Sequence, residues 1–228
     1  MKIEGKILKG TFLERPNRFL GKVEVSGEKH LCYIPNPGRM LELLQLGVEV
    51  YLKEESLSGR KTEYDLVFVK QSSLVSIDSR VPNRLTEEAI RLSLLPEFRG
   101  YDLVRAEHTY GDSRLDFLLA RGDRQMLLEV KSCTLVKGGR ALFPDAPTQR
   151  GQRHLRTLIA ALEQGFEAAV LFVVQRADGE SFSSNDETDP EFGAALREAA
   201  SRGVKIYAYS CQVTLEEIGL LNRILIIL

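Results

Sequence analysis

Apolar and polar residues alternate at short range through the first third of the chain. The segments KIEGKILKGTFLE, RFLGKVEVSG, KHLCYIP, GVEVYLKEE and TEYDLVFVKQSSLVSI read as strands, separated by the turn-forming RPN, SGEK, NPG and SLSGRK. Between the third and fourth strands, GRMLELLQLG has helical spacing at Met40, Leu43 and Leu44 and is closed by Gly47. Five strands with a helix between the third and fourth suit a small closed barrel of the OB type, a fold that binds single strands and oligonucleotides; an SH3-like barrel is the rival.

From about residue 81 the pattern changes to alternating helix and strand. Thr86 is placed to cap a helix that carries Ile90, Leu92, Leu94 and Leu95 and stops at Pro96. Three strands follow, LVRAEHTY, SRLDFLLA and QMLLEVKS. After the FPDAPT turn comes a long helix with an apolar stripe at Leu155, Leu158, Ile159 and Leu162, ending at Gly165. AAVLFVVQ is the continuous apolar run of a strand covered on both faces. RADGESFSSNDETDP reads as an exposed loop, Asp189 and Pro190 open a helix that Gly203 stops, and VKIYAYS and RILIIL supply further strands. The expected architecture is therefore two domains: a barrel over residues 1–80 and an α/β domain on a mixed sheet over 81–228.

Within that sheet, RGDR joins two apolar runs, and Gly122-Asp123 suits a tight hairpin turn. A symmetric hairpin pairs residue 121 with 124, which sets Asp116 directly opposite Glu129, on one face with Lys131 two residues further along. Like charges in that relation are destabilising. A divalent cation compensates them, and Mg²⁺ (or Mn²⁺) takes one or two carboxylates and fills its octahedron with water and phosphate oxygen. Lys131 would orient a water or neutralise charge on a phosphate. Asp, about a dozen residues, then Glu-x-Lys is the nuclease-like PD-(D/E)xK order; the bland alternative is a solvated sheet face.

Composition narrows the possibilities. With 228 residues and 43% apolar content the chain has ordinary globular cores. Its apolar runs are too short to span a bilayer, and MKIEGKILKG lacks the continuous hydrophobic block of a signal peptide, so a cytoplasmic protein without membrane contact is expected. Cys32, Cys133 and Cys211 are scattered and odd in number, which argues for packed, reduced thiols. The formal net charge is −1, yet the segment from Lys131 to Arg156 holds six Lys or Arg against one acid, Asp145. Such a local excess suits a polyanion without a basic whole. No phosphate-loop or dinucleotide glycine pattern is present, which leaves no support for a small-molecule sugar enzyme or a dinucleotide cofactor.

Other polar residues fall where they would serve such a site. Arg150, His154 and Thr157 lie along one flank of the helix after the motif, placed to grip a phosphate, with Thr148 near that helix's N-terminus. Gln175, at a strand end, would orient a water or be a satisfied core amide. Glu88 and Glu107 are both candidates for a third acid, and spacing favours neither. In the barrel, Arg18 and Arg39 stand beside Asn17, Asn36, Phe19 and Tyr33, cations and aromatics suited to phosphates and bases. Phe19 and Tyr33 fit a barrel core equally well.

RPNRF, IPNPGRM, YGDSRLDF, EVKS, LFPDAPTQRGQRHL and FVVQR, in this order, resemble the sugar fermentation stimulation protein A family of bacteria and archaea over nearly the whole chain. The resemblance implies a non-specific DNA-binding protein linked to the regulation of sugar, notably maltose, metabolism. It also implies an OB-like N-terminal domain and a C-terminal domain of the PD-(D/E)xK, restriction-endonuclease-like type. By position it carries the nuclease-like motif onto Asp116, Glu129 and Lys131, with Glu88 as the helical acid, and puts Arg150 and His154 in the family's own segment. One departure stands out: the first acid follows Arg114 and Leu115 rather than a proline. Two functions follow as expectations, a Mg²⁺-dependent nuclease and a non-catalytic DNA-binding regulator, with duplex DNA, single strands and RNA all open as partners.

Overall fold

The computed structural model describes residues 1–56 and 59–228. Leu57 and Ser58, inside the expected SLSGRK turn, lie outside the described residues.

The N-terminal strands are β1 (Ile7–Asn17), β2 (Leu20–Val25), β3 (Glu28–Tyr33), β4 (Glu49–Glu54), β5 (Tyr64–Lys70) and β6 (Leu74–Ser76). They run in the order β3-β2-β1-β4-β5-β6, and a parallel pairing of β3 with β5, Cys32 opposite Tyr64, closes the first five into an OB-like barrel. The alternation in sequence is what fills it: Phe12, Val23, Cys32, Ile34, Val50, Leu52 and Leu66 all point inward and are buried.

The helix expected across Met40–Gly47 is replaced by turns. Met40 has φ 48°, a left-handed conformation that a helix cannot contain, and its N–H donates to Asp145 Oδ2 at 3.2 Å in the other domain. A tertiary contact thus overrides the local periodicity.

The second half opens with α1 (Val81–Arg91) and continues with β7 (Asp102–Tyr110), β8 (Ser113–Arg121), β9 (Arg124–Cys133), β10 (Val136–Lys137) and β11 (Arg140–Phe143). Then come α2 (Gln149–Glu163), β12 (Glu167–Val174), β13 (Ser181–Ser184), α3 (Pro190–Arg202), β14 (Lys205–Val213), β15 (Ile218–Arg223) and β16 (Leu225–Ile226). The main sheet has the order β15-β14-β12-β9-β8-β7, with β9, β12 and β14 parallel and the outer pairings antiparallel. One face packs α1 through Leu85, Ala89 and Ile90, and the other packs α2 and α3 through Leu155, Leu158, Phe192 and Leu196.

Three boundaries differ from expectation. Thr86 is buried in the interior of α1, not at its cap; the helix begins at Val81, five residues before it, after Arg80 has donated its N–H to Asp78. The same helix stops at Arg91, before Leu94 and Leu95, because Ser93 turns left-handed at φ 55°. The loop expected between Arg176 and Pro190 contains β13, which pairs in parallel with β11 in a small second sheet.

The two halves are joined by buried hydrogen bonds. Ser76 at the end of β6 donates its N–H to the carbonyl of Gln175 at 3.0 Å and its hydroxyl to Gln175 Oε1 at 3.1 Å. Gln175 Nε2 in turn donates to the Ser132 hydroxyl on β9 at 2.9 Å, so the barrel is tied to the strand that bears Glu129 and Lys131. Gln175 is therefore a satisfied core amide. The three cysteines are free and buried. Among the described residues no helix is long and apolar enough to cross a membrane.

Candidate metal and phosphate site

The β8–β9 hairpin turns at Gly122, whose φ of 57° suits glycine, and Arg121 pairs with Arg124. The ladder then runs in strict register to Phe117 opposite Leu128. There it stops, one step short of the Asp116–Glu129 pair. Asp116 Oδ2 accepts the N–H of Val130 at 2.7 Å, so a side chain takes the hydrogen bond that β8 backbone would otherwise supply. A strand N–H points along the sheet, and the Asp116 carboxylate therefore sits where β8 parts from β9 instead of standing on one face beside Glu129.

The two acids are held from opposite layers. Asn83 Nδ2 on α1 donates to Asp116 Oδ1 at 2.7 Å. On the other side, His154 Nδ1 of α2 lies 2.5 Å from Glu129 Oε1, which the Lys131 ammonium also reaches. Arg150 Nε donates to His154 Nε2 at 3.3 Å. A guanidinium only donates, so Nε2 accepts and Nδ1 carries the proton that faces Glu129. Both ring nitrogens are engaged, and the residue is 2% exposed.

Glu129 is 3% exposed, and its second oxygen, Oε2, is buried without a hydrogen-bond partner among the described residues. Such a carboxylate oxygen is costly unless something binds it. Burial pushes the Glu129 carboxyl up, but Lys131 and His154 outweigh burial and hold it below its ordinary range. Asp116 goes the other way, to about 6, through burial first and the charge of Glu129 second, against the opposing Val130 N–H, Asn83 and Lys131. Two neighbouring carboxylates with pKa values pushed apart, one with an unpartnered buried oxygen, fit a divalent cation. Asp116 and Glu129 would be its protein ligands. Among the described residues no cluster of three His, Cys, Asp or Glu is arranged to hold a metal, so water and substrate oxygens would complete the shell, as Mg²⁺ prefers.

Several expected residues are placed elsewhere. Glu88 is not the third acid: it pairs with the N-terminal ammonium of Met1 at 3.0 Å, on a different flank of α1 from Asn83. Glu107 is exposed and pairs with Arg114 on the next strand. Thr148 caps α2, its hydroxyl accepting from Gly151 at 3.0 Å and its N–H donating to Asp189, so the backbone N–H expected to hold a phosphate is taken and only the hydroxyl proton is left. The Asn36 amide is likewise spent, on the carbonyl of Ile77 and the N–H of Gly38, which makes it a buried fastener rather than a surface contact. Thr157 shares a 2.7 Å hydrogen bond with Ser113.

Arg18 and Arg39 are exposed and, among the described residues, have no carboxylate within 4 Å. Phe19 is 43% exposed and lies against Tyr33 with ring centroids 6.3 Å apart and planes 20° from parallel. Two residues escaped sequence reasoning. Arg15 donates to the carbonyls of Arg39, Arg18 and Asn36 at 2.5 to 3.1 Å and so shapes the loops that display both arginines. It opens the RPNRF segment, which was the available signal. Asn83 had none, because an asparagine near a helix start is ordinary.

Comparison with known proteins agrees with this architecture. Residues 13–77 match the family model described as the SfsA N-terminal OB domain, and residues 80–217 match the sugar fermentation stimulation protein RE domain. The sugar fermentation stimulation protein homolog of Caldanaerobacter subterraneus subsp. tengcongensis is 47% identical over 229 residues, covering 100% of both chains. That of Moorella thermoacetica is 46% identical, covering 99% of each. The structure of Pyrococcus furiosus SfsA in complex with Ca²⁺ matches with a TM-score of 0.92 at 30% identity, over 100% of this chain and 98% of the other.

Proposed function

We propose that this chain, which belongs to the sugar fermentation stimulation protein family, binds DNA and hydrolyses phosphodiester bonds with Mg²⁺ or Mn²⁺ held by Asp116 and Glu129. The observation that carries this reading is the buried, unpartnered Oε2 of Glu129 next to a carboxylate that its own surroundings disfavour. The Ca²⁺ complex of the Pyrococcus furiosus relative supports it, since Ca²⁺ and Mg²⁺ are both hard cations that take oxygen ligands.

A bound cation would supply Lewis acidity, lowering the pKa of a water and neutralising charge on the phosphate. The side chains have distinct roles around it. Glu129 fixes the Lys131 ammonium, whose side chain is 13% exposed and has further N–H donors for a water or a phosphate oxygen. His154 uses both ring nitrogens and therefore positions Glu129 without moving a proton. Arg150 spends only Nε on that ring, which leaves its terminal nitrogens for the phosphate.

A non-catalytic DNA-binding regulator is the second reading, and the withdrawal of Glu88 from the site favours it, because only two acids are left. One experiment separates the two. Purified protein with Mg²⁺ or Mn²⁺ is incubated with single-stranded DNA, duplex DNA and RNA, beside Glu129→Ala and Lys131→Ala. Cleavage by the wild type alone, with DNA affinity nearly equal in all three proteins, supports hydrolysis. Failure of the wild type to cut any substrate leaves the binding reading.

A further inference from the structure

The geometry points to a single-stranded polynucleotide as the substrate, laid from the Phe19–Tyr33 platform through the groove between the two domains to Lys131. This deepens the reading of the Asp116–Glu129 site and rests on it for the chemistry, though not for the binding.

The groove has a volume of about 990 Å³. Arg15, Arg18 and Arg39 form its barrel wall, and the other wall is the end of β9 from Ser132 together with the Phe143–Thr148 segment. Ser132 directly follows Lys131, and Thr148 caps the helix that carries Arg150 and His154, so one end of the groove is formed by the chain next to the site residues, although the site side chains do not themselves line it. Its other end passes Asn17 into a second hollow of about 490 Å³, between the β1–β2 turn and the connection from β4 to β5. These two loops are where an OB barrel takes oligonucleotides.

The chemistry of the path matches a strand with its bases unstacked. Phe19 shows an exposed ring face, backed by Tyr33, and aromatic faces of this kind accept any base. Arg18 and Arg39 lie between the platform and the site, where successive phosphates would pass. The one carboxylate that lines the groove, Asp145, is turned onto the Met40 N–H.

The platform decides between a single strand and a duplex, because only an unpaired base can lay its face on the exposed Phe19 ring. The walls are also pinned. Asn36 and Asp145 fasten the barrel loop, and a Cβ added at Gly38 would lie 2.6 Å from Asp145 Oδ2, which shows how closely the two walls approach.

The test is binding of the full chain in EDTA, so that hydrolysis plays no part. Fluorescence anisotropy is measured with labelled oligothymidylate and oligouridylate of about sixteen nucleotides, the upper site size for one OB fold, and with a DNA duplex of equal length. We expect a single strand to bind at least tenfold more tightly than the duplex, and the two single-stranded arms tell DNA from RNA. Phe19→Ala should weaken single-strand binding several-fold at an unchanged salt slope, and Arg18→Ala with Arg39→Ala should flatten that slope. Crosslinks of a 5-iodouracil oligomer to Phe19 or Tyr33 would place a base on the platform. Equal or tighter duplex binding overturns the proposal, as does Phe19→Ala binding like the wild type. Single-strand binding without cleavage in Mg²⁺ removes hydrolysis and leaves the track standing; cleavage of duplex with no single-strand preference does the reverse.

Discussion

Asp116 accepts the N–H of Val130 at 2.7 Å and thereby ends the β8–β9 ladder with a carboxylate. A charged group has replaced a neutral carbonyl at the end of a sheet, where burial first and the charge of Glu129 second raise its pKa to about 6, and a cation nearby would favour its ionised form. The site can be read as two acids that the fold brings together at a cost, which binding recovers.

That cost has a sign in pH. The Asp116 pKa rises from 3.8 to about 6 on folding, so the stabilising protonated state is fully present below pH 3.8 and is lost as pH climbs through about 6. Without divalent cations, urea titrations should show the wild type losing roughly 2 to 3 kcal/mol relative to Asp116→Asn between about pH 4 and pH 7. Parallel stability curves for the two proteins would sink the argument.

Cation binding should register as stability. Adding Mg²⁺ or Mn²⁺ at about 100 times its dissociation constant should stabilise the wild type by about 2.7 kcal/mol. Glu129→Gln, which keeps the shape and removes the charge, should show little of this shift in a thermal melt. An equal shift in both proteins would locate the cation elsewhere.

His154 acts through Glu129 by the 2.5 Å contact. His154→Ala should lower cation affinity about 10- to 100-fold by calorimetry, as loss of an outer-shell partner does. His154→Gln, with an amide donor of its own, should recover part of the loss. If both variants bind the cation as the wild type does, the histidine is only packing.

Gln175 joins the barrel to β9 through Ser76 and Ser132. Gln175→Ala strands the buried Ser76 hydroxyl and the half-buried Ser132 hydroxyl and opens a cavity, for a loss of about 2 to 4 kcal/mol. Denaturant unfolding followed separately in the two domains should then lose its coincidence. A single unchanged transition would mean that other junction contacts suffice.

Local chemistry was legible where one segment sets its own geometry. The Gly122-Asp123 turn and the register that follows from it, the Asp189 cap and Gly203 stop of α3, and the alternation of the barrel strands were all readable from the chain, because each depends on neighbours in sequence. The helix expected at Met40–Gly47 and the cap expected at Thr86 were misread for the opposite reason. Met40 answers to Asp145, 105 residues away, and α1 begins where Asp78 anchors Arg80.

What the sequence by itself determined is the two-part architecture and the hairpin register as far as Phe117 and Leu128, since periods of 2 and 3.6 and a two-residue turn place them without help from afar; the Asp116–Glu129 step expected next is not formed. Only the tertiary structure decided that Asn83 and not Glu88 reaches Asp116, that His154 is buried against Glu129, and that Thr148 and Asn36 hold the chain in place at a helix start and a barrel loop. Side-chain partners across layers depend on how helices rotate as they pack, and that rotation is fixed by the whole core, not by any one segment.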